Sequence, residues 1–373
     1  MRRILRRAHR PGTRTITTLV LVTAVTVLAG CSLVGEGDDE PATSPGGSSA
    51  SPGQEAPREV VLVTHDSFAL PKKLVKAFEA DSGYELEVRA SGDAGALTNK
   101  LVLTQDSPTG DVAYGVDNSF ASRALDAGVF ADSGVTLPDG AADYTLDDGT
   151  DRLVPIDTGA VCVNVDTRWF EEQGIPEPET LDDLVEPAYA DLFVTPGAAT
   201  SSPGMAFLLA TIAEHGDDWP DYWADLMANG AKLTSGWSDA YYVDFTQGGG
   251  DGDRPIVLSY DSSPAFTLTE DGEATTTRAL LDTCFRQVEY AGVLAGAANP
   301  DGARAVIEWL LSPEVQAALP ESMYVFPVVS GVELPEDWAR FAEQPTDAYT
   351  VDADEITANR EQWLTEWTDI TSR

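Results

Sequence analysis

The sequence predicts an α/β protein built as two lobes, and three observations carry that prediction. Its 373 residues exceed what a single core usually holds. From Glu59 onward, strand-like and helix-like apolar patterns alternate, as in a mostly parallel sheet covered by helices. Two apolar stretches, Leu153–Val165 and Phe285–Tyr290, break that order and mark where the chain passes between lobes and returns.

Glu59-Val60-Val61-Leu62-Val63-Thr64 reads as a buried strand. Pro71 to Asp81 then places Leu74, Val75 and Phe78 on one helical face, and Tyr84-Glu85-Leu86-Glu87-Val88 alternates like a strand. The unit recurs with a helix over Ala96–Leu103, a strand over Asp111–Gly115 and a helix over Ala121–Ala127. Helical segments begin at Thr180 and Pro203, a further helix spans Pro300–Leu311, and a C-terminal helix carries Trp363 and Trp367. Residues 59–156 with about 285–325 are expected to form lobe 1, and 157–284 with about 326–373 lobe 2. In such sheets ligands bind at the carboxyl ends of the strands, and a cleft between lobes closes by hinge motion.

Hydrophobic residues make up 43% of the chain and there are eight tryptophans, the composition of an ordinary folded protein. The 23 basic and 62 acidic residues give a formal charge of −39. Six of the arginines and none of the acids lie in residues 1–30, so the remainder carries 17 basic against 62 acidic residues, or −45. Such a field repels nucleic acid and attracts small cations, within a screening distance of about 8 Å. Nucleic-acid binding is disfavoured. The charge alone names no ligand, and a solvating coat is its simplest role.

The first 30 residues read as an export signal. Arg2, Arg3, Arg6, Arg7, Arg10 and Arg14 precede an apolar run from Ile16 to Leu28, shorter than the ~20 residues of a spanning helix. The run ends in Leu28-Ala29-Gly30-Cys31, which resembles the bacterial lipobox. That resemblance implies a lipidated Cys31 at the mature N-terminus, anchored to the outer face of the cytoplasmic membrane. From Ser32 to Arg58 the chain is rich in Gly, Ser, Pro and acids without apolar periodicity, so residues 31–58 are expected to be a tether with a reach of about 30 Å.

Two cysteines remain, Cys162 and Cys284, both in apolar, strand-like segments. A disulfide between them and a pair of free buried thiols both fit. The chain has no GxSxG elbow, HExxH pair or P-loop, so hydrolase and zinc chemistry are unsupported and no cofactor is expected.

Several segments together resemble bacterial thiamine-binding proteins, the solute receptors of ABC importers. They are Asp66-Ser67-Phe68, Phe78-Glu79-Ala80-Asp81, Gly115-Val116-Asp117-Asn118, Thr200-Ser201-Ser202-Pro203-Gly204, Gly236-Trp237-Ser238-Asp239-Ala240-Tyr241, Leu258 to Ala265 and Leu311-Ser312-Pro313-Glu314. Each is weak alone; their order and spacing from about Val60 to Arg373 are not. The resemblance implies a type II periplasmic-binding-protein fold, with mixed, mostly parallel sheets joined by a hinge. It also implies a monomeric, non-enzymatic receptor that takes thiamine or its phosphates and hands it to an ABC-transporter permease.

By the same resemblance, ligand contacts fall on Asp93 with Ala94, Ser201 with Ser202, Trp237, and Tyr260-Asp261-Ser262-Ser263-Pro264. Tyr324 stands where relatives usually carry a tryptophan wall, and His65 and Phe266 where they carry tyrosine. Thiamine is a permanent cation bearing an aminopyrimidine, so aromatic faces, a carboxylate and hydrogen-bonding groups suit it. Three aromatic contacts of roughly 0.5–2 kcal/mol each fall short of the about 8 kcal/mol of micromolar binding, so Asp93 and the serines must add the remainder. Structural roles compete at each position. Asp93 would cap a helix starting near Ala94, Ser201 and Ser202 would cap one starting near Pro203, and Trp237 would serve a core. Two alternatives share the fold: a ferric-ion receptor using the Tyr241-Tyr242 pair, and a thiaminase-like enzyme using Cys162 as nucleophile.

Overall fold

The computed structural model describes residues 58–146 and 148–372. The expected signal peptide, Cys31 and the tether lie outside the described residues. In chain order the elements are β1 (Arg58–Thr64), α1 (Lys72–Ser82), β2 (Tyr84–Ala90), α2 (Ala94–Leu103), β3 (Val112–Asp117) and α3 (Ala121–Asp126). There follow β4 (Val154–Asp166), α4 (Thr167–Gln173), β5 (Phe193–Pro196), α5 (Ser202–His215), α6 (Trp219–Ala228), β6 (Lys232–Thr234), β7 (Ile256–Tyr260), β8 (Thr277–Ala279) and β9 (Phe285–Val293). The chain closes with α7 (Pro300–Leu310), α8 (Pro313–Gln316), α9 (Leu319–Met323), β10 (Phe326–Pro327), α10 (Glu336–Phe341) and α11 (Ala353–Thr371).

Among the described residues the strands form one mixed sheet of ten, ordered β2-β1-β3-β9-β4-β7-β5-β6, with β8 and β10 also on β4. Its flanks are parallel, β1 with β2 and β3, and β5 with β6 and β7. Its centre is antiparallel, because β9 returns against β3 and β4, and β7 against β4. All 13 residues of β4 are buried, which is why it reads as one long apolar run. Its first part, Val154–Val161, pairs with β9, and Val161–Val165 pairs with β7. The boundary expected at residues 156 and 157 thus falls inside a strand that serves both flanks.

Alternation sorts β1 between two layers. Val60 and Leu62 pack with Phe78 of α1 and Ile307 of α7. Val61 and Val63 join a core that runs on through Leu97 to Phe207 of α5, Trp223 of α6 and Trp367 of α11. Local chemistry fixes the helix ends. Gly83 closes α1 in the left-handed region, and Ser312 caps α8 by accepting from the Val315 N–H, with Pro313 at the first helical position.

Cys162 on β4 and Cys284, immediately before β9, form a disulfide with Cα atoms 4.1 Å apart, both fully buried. That settles the open pairing and corrects the thiaminase alternative. A sulfur held in a buried disulfide has no thiolate to attack with.

Candidate ligand-binding site

The candidate residues converge at the carboxyl ends of the two parallel flanks. His65 follows β1, Asp93 follows β2 and Asp117 ends β3; Ser201 and Ser202 follow β5, Trp237 follows β6 and Tyr260 ends β7. Between them is a cavity of ≈ 30 Å³ lined by His65, Ser67, Asp93, Ser202, Pro203, Trp237, Tyr260, Glu289, Met323 and Val325. That is about one water molecule's space, against the roughly 300 Å³ or more of small-molecule sites, so a ligand of thiamine's size enters only if the flanks part. A larger opening of ≈ 670 Å³ between α3 and the start of α11 contains none of the expected site residues.

Asp93 ties the flanks together. It caps α2, Oδ1 accepting the Ala94 N–H at 2.6 Å, and the same oxygen accepts from the Ser202 N–H at 3.5 Å. Oδ2 accepts the Trp237 N–H at 2.9 Å. The capping and site roles therefore coexist in one side chain. Gly236 lets the tryptophan backbone approach, since a Cβ there would lie 3.0 Å from Asp93 Oδ2. Ser202 Oγ donates to Asp117 Oδ2 and accepts from Gln287 Nε2 at 3.2 Å. Burial, ahead of other causes, pushes the Asp117 carboxyl up to about 6.

Trp237 is the hub of an aromatic wall. Its ring stacks on Tyr241 with centroids 5.0 Å apart and planes 19° apart, and meets Tyr242, Tyr260 and Tyr324 edge-on at 5.3, 6.1 and 5.7 Å. Its Nε1–H donates to Ser259 Oγ at 3.0 Å, and Ser259 shares a hydrogen bond of 2.8 Å with Ser263. Tyr324 in turn stacks on Phe266 at 3.6 Å and adopts a left-handed φ of 64°, a conformation that costs a non-glycine residue about 1 kcal/mol or more. Tyr241 is a stacking surface behind Trp237, with its phenol pushed up by burial.

From the cavity wall a buried acid–base network runs inward. His65 Nε2 is 3.4 Å from Glu289 Oε1, and Tyr114 Oη donates to Glu289 Oε2 at 3.0 Å and Asp157 Oδ2 at 2.5 Å. Burial and then Glu289 hold the Asp157 carboxyl well above its ordinary range. Glu289 lies below its usual value although burial opposes this, because His65, Tyr114 and Asp157 support its charge. Gly115, at φ +98°, leaves room for the imidazole; any Cβ there would collide with the His65 ring.

Of the expected residues, His65, Asp93, Ser202, Trp237 and Tyr260 line the cavity. Ala94 and Ser201 are buried beside them, the Ser201 hydroxyl without a hydrogen-bond partner. Ser262 Oγ donates to the Tyr324 carbonyl, Ser263 accepts from the Tyr260 N–H, and Pro264 lies buried in the short turn that follows. Asp261 is set apart: Oδ1 accepts the Ala160 N–H at 3.2 Å, and the residue lines a separate 200 Å³ cavity with Arg286. Burial raises it to about 7. Sequence reasoning missed Ser67, Pro203, Glu289, Met323 and Val325 as lining residues. For Glu289 a trace existed, an acid on the same side of an apolar strand as Gln287.

An acidic, aromatic-walled site where the ends of two parallel strand sets meet defines a class, the solute receptors. Residues 73–346 match the family of bacterial extracellular solute-binding proteins, and the chain belongs to that family. It is similar to the thiamine-binding periplasmic protein of Escherichia coli (strain K12), with 32% identity over 322 residues, covering 84% of this chain and 94% of the relative. A solved periplasmic thiamin binding protein matches with a TM-score of 0.75 at 30% identity, covering 86% of this chain and 98% of the other. Iron-bound HitA from Pseudomonas aeruginosa matches with a TM-score of 0.66 at 18% identity, covering 84% and 99%, a likeness of fold alone. The fold is thus the two-lobe periplasmic-binding-protein fold, its mixed sheet continuous through β4.

Proposed function

We propose that this protein captures thiamine outside the cytoplasmic membrane, tethered through a lipidated Cys31, and delivers it as a monomer to an ABC-transporter permease. The ligand contacts are Asp93, Ala94, Ser201, Ser202, Trp237, Tyr260 to Pro264, Tyr324 and His65, with Glu289 added. The proposed lobes, residues 59–156 with about 285–325 and 157–284 with about 326–373, meet around them.

One observation carries the reading: the rings of Trp237 and Tyr260 line the cavity together with the carboxylates of Asp93 and Glu289, in a lining that holds no lysine or arginine. Such a site favours a flat cation through its ring faces and carboxylates. The thiamine-binding relatives point to the same ligand.

The same lining disfavours phosphates. A helix N-terminus such as that of α5 would ordinarily suit an anion. Here the Ser202 N–H and O–H are directed at the carboxylates of Asp93 and Asp117. Calorimetric titration is expected to give micromolar or tighter binding of thiamine and at least about tenfold weaker binding of its diphosphate, a difference of about 1.4 kcal/mol. No heat with thiamine would sink the receptor reading; equal or tighter binding of the diphosphate would sink the selectivity. Cys31→Ser is expected to move the chain from the membrane to the soluble fraction, and a variant that stayed with the membrane would refute the lipid anchor.

A further inference from the structure

A cationic ligand would enter a site whose lining already includes a titratable base. His65 is the only basic side chain in the cavity lining, which contains no lysine or arginine. It is 6% exposed and sits 3.4 Å from Glu289 Oε1. Charged and titratable groups face it from each element packed around it: Glu289 on β9, Asp93 ahead of α2, Asp66 beside it, and Tyr114 on β3 with ring centroids 5.5 Å apart. Asp157 on β4 lies behind Tyr114. One carboxylate, Glu289, is thus shared between the imidazole beside it and whatever occupies the cavity that both line.

We propose that His65 surrenders its proton to solvent when a cationic ligand enters the cleft, so that capture exchanges a proton for the ligand's positive charge. This rests on the thiamine reading of the same site. The thiazolium charge of thiamine is quaternary and does not titrate; the imidazole beside it does. Two cations over one buried carboxylate repel, and only one of them has a proton to give up. The exchange balances: imidazolium and ligand cation enter, and neutral imidazole, bound ligand cation and a released proton leave.

The electrostatics of His65 support this direction. Burial is the largest influence on its pKa and opposes its charge, but Glu289, Asp93 and Asp66 outweigh burial and lift it above its ordinary 6.5. A bound cation neutralises those carboxylates and leaves burial unopposed, which favours the neutral ring. Affinity for a cationic ligand therefore rises with pH while the free protein carries the proton, by up to about tenfold per pH unit, and levels off once His65 is neutral.

The test is calorimetry of thiamine binding to the full chain between about pH 5.5 and about pH 8, in buffers of differing ionisation enthalpy. The expected result is release of about one proton per thiamine near the lower end, falling toward none at the upper end, with affinity rising in step. Hydroxymethylpyrimidine, which carries no fixed charge, is expected to release none on binding. In His65→Gln the proton release and the pH dependence disappear. Were Asp117 or Asp261, which also titrate in this range, the source, both would persist in that variant and the proposal would be overturned. Thiamine binding with a flat affinity and no proton release overturns the exchange while leaving the receptor reading intact. No thiamine binding at any pH overturns both. Proton NMR of the unsubstituted chain gives an independent readout, with the His65 ring titrating at lower pH in the thiamine complex than in the free protein.

Discussion

Trp237→Ala is expected to weaken thiamine binding by at least about hundredfold, equivalent to about 2.7 kcal/mol. The substitution removes one face of the aromatic wall, worth roughly 0.5–2 kcal/mol against a cation, and exposes the Tyr241 ring stacked behind it. It also removes the Nε1–H donor to Ser259, whose partner Ser263 holds the Tyr260 backbone. Trp237 is 7% exposed, so its truncation also costs stability, about 3–5 kcal/mol for a buried tryptophan. Thermal melting without ligand separates this cost from lost recognition. Trp237→Phe keeps the stacked face and loses only the donor, and is expected to lose about tenfold. A Trp237→Ala chain that is folded by melting and binds thiamine as tightly as the parent would remove this residue from the site.

The second large effect concerns the covalent link between β4 and β9. Replacing Cys162 and Cys284 together by alanine frees a loop with a sequence separation of 122. Loop-closure entropy makes a cross-link of that span worth about 2–5 kcal/mol, so the melting midpoint is expected to fall by roughly 5–15 °C. Both sulfurs are fully buried, so mild reductant is expected to act on the unfolded chain and leave the folded protein oxidised. An unchanged midpoint in the double variant would show that the sheet's own hydrogen bonds suffice there.

Much of the fold was legible because apolar periodicity follows directly from burial. The run Glu59 to Thr64, read as a buried strand, has Val60 to Thr64 buried, and the helix read as starting near Pro203 begins at Ser202. The continuity of the sheet was not legible, since hydrogen-bond partners of β4 and β9 lie far away in sequence and leave no periodic trace. The site divided similarly. Trp237 and Asp93 stood out beside glycines and at a helix start. Glu289 lay inside an apolar strand and read as one alternating position, its meaning supplied only by His65, more than two hundred residues earlier. Asp261 showed the reverse: its polar setting suggested the site, while its carboxylate is taken up by a neighbouring strand's N–H.

The undivided strand β4 constrains how such a receptor would work. In the proposed partition its thirteen buried residues belong to both lobes, so parting them cannot proceed by peeling one sheet from another without stripping partners from β9 or β7. Opening must instead be spread as torsion along continuous backbone, like a bar twisted at its ends. The open and closed receptors would then share the hydrogen bonds of the sheet, lose those from Ser202 and Trp237 to Asp93 on opening, and differ chiefly in the angle presented to the permease.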